Sequence, residues 1–169
     1  QSKRMNRIIE DVLQLSRREY AEPQLIALDL WLPKTIKQLF TQHYDQFDWR
    51  LQPELWVQFD PEQLEQVLVN LIQNALHHGH KLHTNPTIRL VASADLSGRV
   101  SLDVIDQGAG VSEQAQQTLF EPFFTTESGG TGLGLYLSRA ICDANGANLF
   151  HVPQPSGACF RLVFRHNQP

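Results

Sequence analysis

Residues 129–135 read GGTGLGL, and YLSRAICDANG runs on behind them. The glycines at 129, 130, 132 and 134 lead straight into a helical pattern. Glycine has no Cβ, so its backbone can turn tightly and come close to a ligand. A helix N-terminus adds free N–H groups and partial positive charge, both suited to phosphate. Two familiar phosphate loops fail on inspection. A P-loop needs a lysine behind its glycines, and none follows here; a G-x-G-x-x-G series begun at Gly130 and Gly132 ends on Leu135. The loop has to be read together with what stands before it.

Working back from the loop, FEPFFTT (120–126) comes first, then DQGAG (106–110) at the end of the apolar run VSLDVI, then NLIQNALHH (70–78). The last lies on a helix that starts firmly, with Asp60 as N-cap, Pro61 in the first position and Glu62 and Glu65 in the first turn. That helix is expected over roughly 61–78, with Leu64, Val67, Leu68, Leu71, Ile72 and Ala75 as its buried stripe. Gln66, Asn70, Asn74 and His77 fall on another face. One asparagine on such a helix is usually a solvated residue. Two, four apart, aim both amides the same way, and an amide oxygen is a hard ligand suited to Mg²⁺ alongside phosphate oxygens. A carboxylate such as Asp106 at the floor of an apolar pocket can accept a hydrogen bond from an exocyclic amine such as N6 of adenine. It would repel the O6 of guanine, while Gly108 and Gly110 let the backbone lie flat against a base.

The rest of the chain sets bounds. It has 169 residues, 41% of them hydrophobic, enough for one domain with an appendage. The net charge of −4 argues against broad nucleic-acid binding. Cys142 and Cys159 stand far apart, in no metal spacing, which fits a reducing cytoplasm. No apolar run is long enough to span a membrane, and no signal peptide is visible. The chain opens on Gln1 rather than methionine, so the expectation is a piece of a longer protein whose upstream part carries any membrane anchor.

Residues 3–20 read as an amphipathic helix with Met5, Ile8, Ile9, Val12, Leu13 and Leu15 at near-helical spacing. A linker is expected over 21–28, including a short strand, and a helix from near Pro33. Extended chain over 48–60 turns at Pro53. A hairpin over 87–108 turns at Ser97–Gly98, a short helix is capped by Ser112, and a helix stops near Asn145–Gly146. Two strands close the chain. This irregular order favours an α+β layer, with helices on one face of a mixed sheet, over a doubly wound parallel sheet.

The ordered series Asn-x-x-x-Asn, Asp-x-Gly-x-Gly, Phe-x-Pro-Phe, Gly-Thr-Gly-Leu-Gly resembles the N, G1, F and G2 boxes of sensor histidine kinases. The resemblance covers about residues 60–165. It implies the Bergerat (GHKL) fold, a two-layer sandwich of a mixed, mostly antiparallel sheet and helices. It also implies that residues 1–20 are the end of the second helix of a dimerisation and phosphoacceptor hairpin, and 29–169 the catalytic domain. The wording FFTTESGGTGLGLYLSRAICDANGA is most similar to sensor kinases of the nitrogen-regulation and type IV pilin-regulation kind.

By resemblance, ATP and Mg²⁺ are the expected ligands. Asn74 is implied as the Mg²⁺ ligand and Asn70 as its catalytic neighbour by the phosphates. Asp106 would bind the adenine amine, with Gly108, Gly110 and Val111 lining the base. Thr126, Gly130, Thr131, Gly132, Leu133 and Gly134 would belong to a lid over about 122–132 that wraps the phosphates. Phe123 and Phe124 are implied in docking on the hairpin. The implied partners are that hairpin, a second copy of the parent chain and a response regulator; the parent would sit in the bacterial inner membrane with this domain in the cytoplasm.

Several positions depart from the pattern. His77 stands where Lys or Arg is usual and His78 where an aromatic ring is common; His77, mostly neutral near pH 7, would hold phosphate more weakly. HHGHKLH (77–83) has no Cys or acidic ligand beside it and is not read as a metal site. A lysine common near Glu127 is missing, and Lys81 or Arg139 could supply that charge. No phosphoacceptor box occurs; His43, in TQHYDQF, lacks its pattern. Chaperone and mismatch-repair relatives use a glutamate base where Asn70 stands, which disfavours direct water activation. An anti-sigma-type serine kinase would lack the first helix and the F box, and a nucleotide-binding module without transfer stays open as the alternative.

Overall fold

The computed structural model describes residues 2–17, 20–124 and 132–166. A helix α1 (Ser2–Arg17) precedes a two-layer α+β domain. In chain order the domain runs β1 (Gln24–Ala27), α2 (Leu28–Leu39), a 3-10 turn (Thr41–Gln46), β2 (Phe47–Leu51), β3 (Trp56–Phe59) and α3 (Pro61–His80). Then come β4 (Ile88–Ala94), β5 (Val100–Ile105), the single-turn α4 (Glu113–Gln116), α5 (Gly134–Ala144), β6 (Asn148–Val152) and β7 (Cys159–Val163).

Five strands form the main sheet in the order β2-β4-β5-β7-β6, with β2 parallel to β4 and the other pairs antiparallel. The hairpin β4–β5 turns where Asp95 accepts from the Ser97 and Arg99 amides. Alternation along the strands sends Ile88, Leu90, Leu102, Val104, Leu149, Phe160 and Leu162 into one buried core with the stripes of α3 and α5. Odd-numbered partners on β5 and β7 face the other way: Arg161 lies across the ladder from Asp103 and grips it with two bonds of 2.7 and 2.9 Å.

The α3 cap forms as its sequence implies: the Asp60 carboxylate accepts from the Glu62 and Gln63 amides at 3.0 and 3.2 Å. Its stripe is buried as expected, and the helix runs two residues further, to His80. α3 and α5 lie antiparallel and are tied at that end by Asn145, only 3% exposed. Its Oδ1 accepts from Asp60 N–H, and its Nδ2 donates to Gln63 Oε1 and the Ile141 carbonyl.

Helix α2 starts at Leu28, not near Pro33, which sits inside it. Leu28, Leu32 and Ile36, all fully buried, form one stripe four apart, and this burial outweighs the single bond that proline removes. Residues 24–27 pair along β3 in a separate two-stranded ribbon. Helix α1 packs against α5 and leaves Met5, Ile9, Val12 and Leu13 exposed along one side. Among the described residues no helix is long and apolar enough to cross a membrane.

Candidate nucleotide-binding site

Asp106 follows directly on β5 and is 5% exposed. Its backbone N–H donates to the Ala158 carbonyl, extending the β5–β7 ladder by one bond. Its Oδ1 accepts from the amides of Gly108 and Ala158, each at 2.9 Å. No group among the described residues donates to Oδ2. The carboxylate is thus fixed in direction by one oxygen and left with acceptor capacity on the other, the arrangement that reads a donor such as an aromatic amine.

The backbone packs tightly here. A Cβ on Gly108 would sit 2.8 Å from the Cβ of His78, so the loop lies against the end of α3. Gly110 has φ +83°, and a Cβ on it would meet the Gly157 carbonyl at 3.1 Å. Gly157, at φ +72°, leaves no room for any side chain, because a Cβ would run into the Asp106 carbonyl. In the sequence only the turn composition of PQPSG (153–157) marks this position. Val111 is half-buried against the core. A cavity of about 120 Å³ opens beside these loops, lined by Gly110, Val111, Gln116, His151 and Gly157 among others. Burial lowers the His151 pKa, and the Asp106 charge partly opposes this.

The two asparagines of α3 differ. Asn70 donates from Nδ2 to Ser138 Oγ at 3.1 Å and to the Gly134 carbonyl at 3.4 Å, and its Oδ1 accepts from Gln66 Nε2 at 3.2 Å. It fastens the first turn of α5 to α3. Asn74, one turn on and half-buried, has no side-chain hydrogen bond among the described residues. Beyond it His77 is exposed and His78 half-buried, their rings edge to face at 5.6 Å.

Helix α5 starts at Gly134 with no side-chain cap; Leu133, 2% exposed, is its N-cap residue. Its first amides therefore point out as a ready anion site. Gly132 has φ +73°, and its carbonyl accepts from Phe123 N–H at 2.8 Å. Their backbones meet so closely that a Cβ on Gly132 would overlap the Phe123 carbonyl carbon. Phe123 itself holds φ +66° and is exposed, while Phe124 is half-buried. Thr126, Gly130 and Thr131, with most of the expected lid, lie outside the described residues. Asp106, Gly108, Gly110 and Val111 thus come together at one place, Asn74 follows Asn70 along α3, and Asn70 reaches the α5 start.

Both thiols are buried, and burial raises them, Cys159 to about 12. Neither is a nucleophile at neutral pH. Among the described residues no three of His, Cys, Asp and Glu converge to hold a metal.

A mixed sheet backed by α3 and α5, with a buried aspartate and paired glycines at the end of a central strand, defines a nucleotide-binding class of domain. The family model described as "Histidine kinase-, DNA gyrase B-, and HSP90-like ATPase" matches residues 59–168, and the chain belongs to that family. It is 44% identical to the sensor protein kinase PilS of Pseudomonas aeruginosa over 98% of this chain and 32% of that protein. It is 29% identical to the signal transduction histidine-protein kinase AtoS of Escherichia coli over 96% of this chain and 27% of that one. The chain thus spans about a third of the length of these curated relatives. Among solved structures, the catalytic domain of histidine kinase ThkA superposes with a TM-score of 0.71 at 28% identity, covering 85% of this chain and 95% of that one. Full-length ShkA in complex with AMPPNP gives 0.73 at 24% identity, covering 92% of this chain and 34% of that one, a likeness of fold. The fold is that of the histidine-kinase catalytic domain.

Proposed function

We propose that this domain binds ATP with Mg²⁺ and transfers the γ-phosphoryl group to a histidine on a dimerisation hairpin, of whose second helix α1 is the end. From that histidine the group passes to an aspartate of a response regulator that controls transcription, such as that of type IV pilin. The working unit is a homodimer of the longer protein, anchored in the inner membrane, with this domain in the cytoplasm.

Adenine recognition rests on Asp106. Its Oδ1 is saturated by two backbone amides, so the carboxylate cannot turn away from an incoming N6 amine. Gly108, Gly110 and Val111 flank the base, with His78 at the α3 end. The triphosphate would lie between Asn74 and the start of α5, which has no side-chain cap and begins at Gly134. His77, exposed at the end of the same helix, is the expected weaker phosphate contact. Thr126, Gly130, Thr131 and Gly132 complete the loop over the phosphates.

The half-buried amide of Asn74, unpaired among the described residues, fits one coordination position of Mg²⁺, an ion that keeps waters and takes few protein ligands. When bound, that ion offsets charge on the phosphate oxygens. The remaining work is positioning: a neutral imidazole nitrogen attacks the γ-phosphorus, the bond to the β-γ bridging oxygen breaks, and ADP leaves.

Asn70 is the observation that favours transfer to histidine over hydrolysis. At the position where water-activating relatives have a glutamate stands an amide, already bonded to Ser138 and Gly134. An amide cannot take a proton from water. The test mixes this chain with a separately supplied phosphoacceptor hairpin and γ-labelled ATP in Mg²⁺. Label on the hairpin histidine is expected; release of free phosphate at the same rate with and without the hairpin, leaving it unlabelled, would favour a hydrolase.

A further inference from the structure

The exposed arginine of α5, Arg139, has no carboxylate partner among the described residues. Its guanidinium carbon lies 4.4 Å from the centroid of the Phe120 ring, a stacked cation–π contact. Phe120 in turn meets Phe160 edge to face at 6.2 Å, and Phe160 meets His151 at 5.6 Å. The row Arg139–Phe120–Phe160 therefore runs from the surface of α5 through the FEPFF segment to the inner face of β7. Three residues beyond Phe120, the Phe123 amide bonds the Gly132 carbonyl, and two residues beyond Gly132 helix α5 begins. Two contacts thus hold the 120–123 segment to the start of α5, one made of backbone and one of side chains.

We infer that Arg139 is a positioning residue. By stacking on Phe120 it keeps the 120–123 segment docked on α5, and so keeps the Gly132–Gly134 backbone in the geometry that receives phosphate. Its charge is spent on an aromatic face and does not replace the missing phosphate-binding lysine. A planar guanidinium suits this stacking better than an ammonium. The inference rests on the nucleotide reading above for its effect on affinity, but not for its effect on the backbone.

Two measurements on the full chain test it. The first is amide exchange at Phe123 without nucleotide, in wild type, Arg139→Met and Arg139→Lys. Methionine keeps an unbranched apolar stem and removes the charged guanidinium. We expect exchange ~2- to 5-fold faster in Arg139→Met, the span that an exposed contact of this kind carries, with partial rescue in Arg139→Lys. An unchanged rate overturns the inference whatever the ligand. The second is calorimetric affinity for ATP and ADP with Mg²⁺ in wild type, Arg139→Met, Phe120→Leu and the double variant. Each single change should weaken ATP and ADP alike by ~2- to 5-fold, and the double variant should lose no more than the worse single one. Loss for ATP alone would make Arg139 a γ-phosphate ligand and overturn the inference, as would additive losses or none. If Phe120→Leu does not fold, the ATP/ADP comparison in Arg139→Met decides the same question. Should wild type bind neither nucleotide, the nucleotide reading fails, and the Phe123 exchange rate still decides this one.

Discussion

The two ends of the site are built on opposite terms. Around Asp106 the fold has already used the polar groups: one carboxylate oxygen holds two amides, three glycines allow backbones to touch, and a single acceptor is left over. Around Asn74 and the start of α5 the groups are left open, with no side-chain cap on α5 and no partner for Asn74 among the described residues. On the proposed reading the first end would be a rigid reader, with its specificity set before any ligand arrives. On the same reading the second would be a charge sink, taking its final shape from a phosphate chain and its ion. Asn70, between them, belongs to the rigid part although its sequence resembles the open one.

Changes at the open end should strike chemistry and spare stability, while changes at the rigid end should strike both. Asn74→Ala is expected to lower Mg²⁺-dependent labelling of the hairpin on the order of 100-fold, with the melting temperature unmoved; a large loss of melting temperature would place Asn74 in the rigid part. Asp106→Asn keeps an acceptor for the Gly108 and Ala158 amides and puts a donor where the adenine amine must bind. It should weaken ATP by roughly 10- to 100-fold, read by calorimetry, and unchanged affinity would remove the adenine assignment. Gly157→Ala forces a side chain at positive φ into the Asp106 carbonyl and should cost about 1–3 kcal/mol in denaturant unfolding. Asn70→Ala removes two donated bonds and should cost about 1 kcal/mol of stability. Its labelling rate should fall far less than that of Asn74→Ala, and an equal fall would merge the two asparagines into one catalytic unit.

Much of the open end was legible because its signals are local. A cap residue, a proline at the first helical position and an apolar stripe place α3, and the glycine-rich run at 129–134 leads into α5 at Gly134. Asp106 was legible from an apolar strand ending in Asp-x-Gly-x-Gly. The rigid end depends on contacts distant in sequence. Gly157 matters because it touches Asp106, fifty-one positions away. The partner of Asn70 is Ser138, and Asn145 reaches back to Asp60. No periodicity announces such pairs. The start of α2 was misplaced for a similar reason: Pro33 is a strong local stop signal, but a buried stripe across it prevails.

The most direct test is titration calorimetry of this chain with ATP and with GTP in millimolar Mg²⁺, on a sample that melts cooperatively. The expected result is saturable heat for ATP and far weaker binding for GTP, since guanine turns an acceptor toward Asp106. Equal affinity for the two nucleotides, or no heat from ATP or ADP on a folded sample, would contradict the reading of Asp106 on which the rest depends.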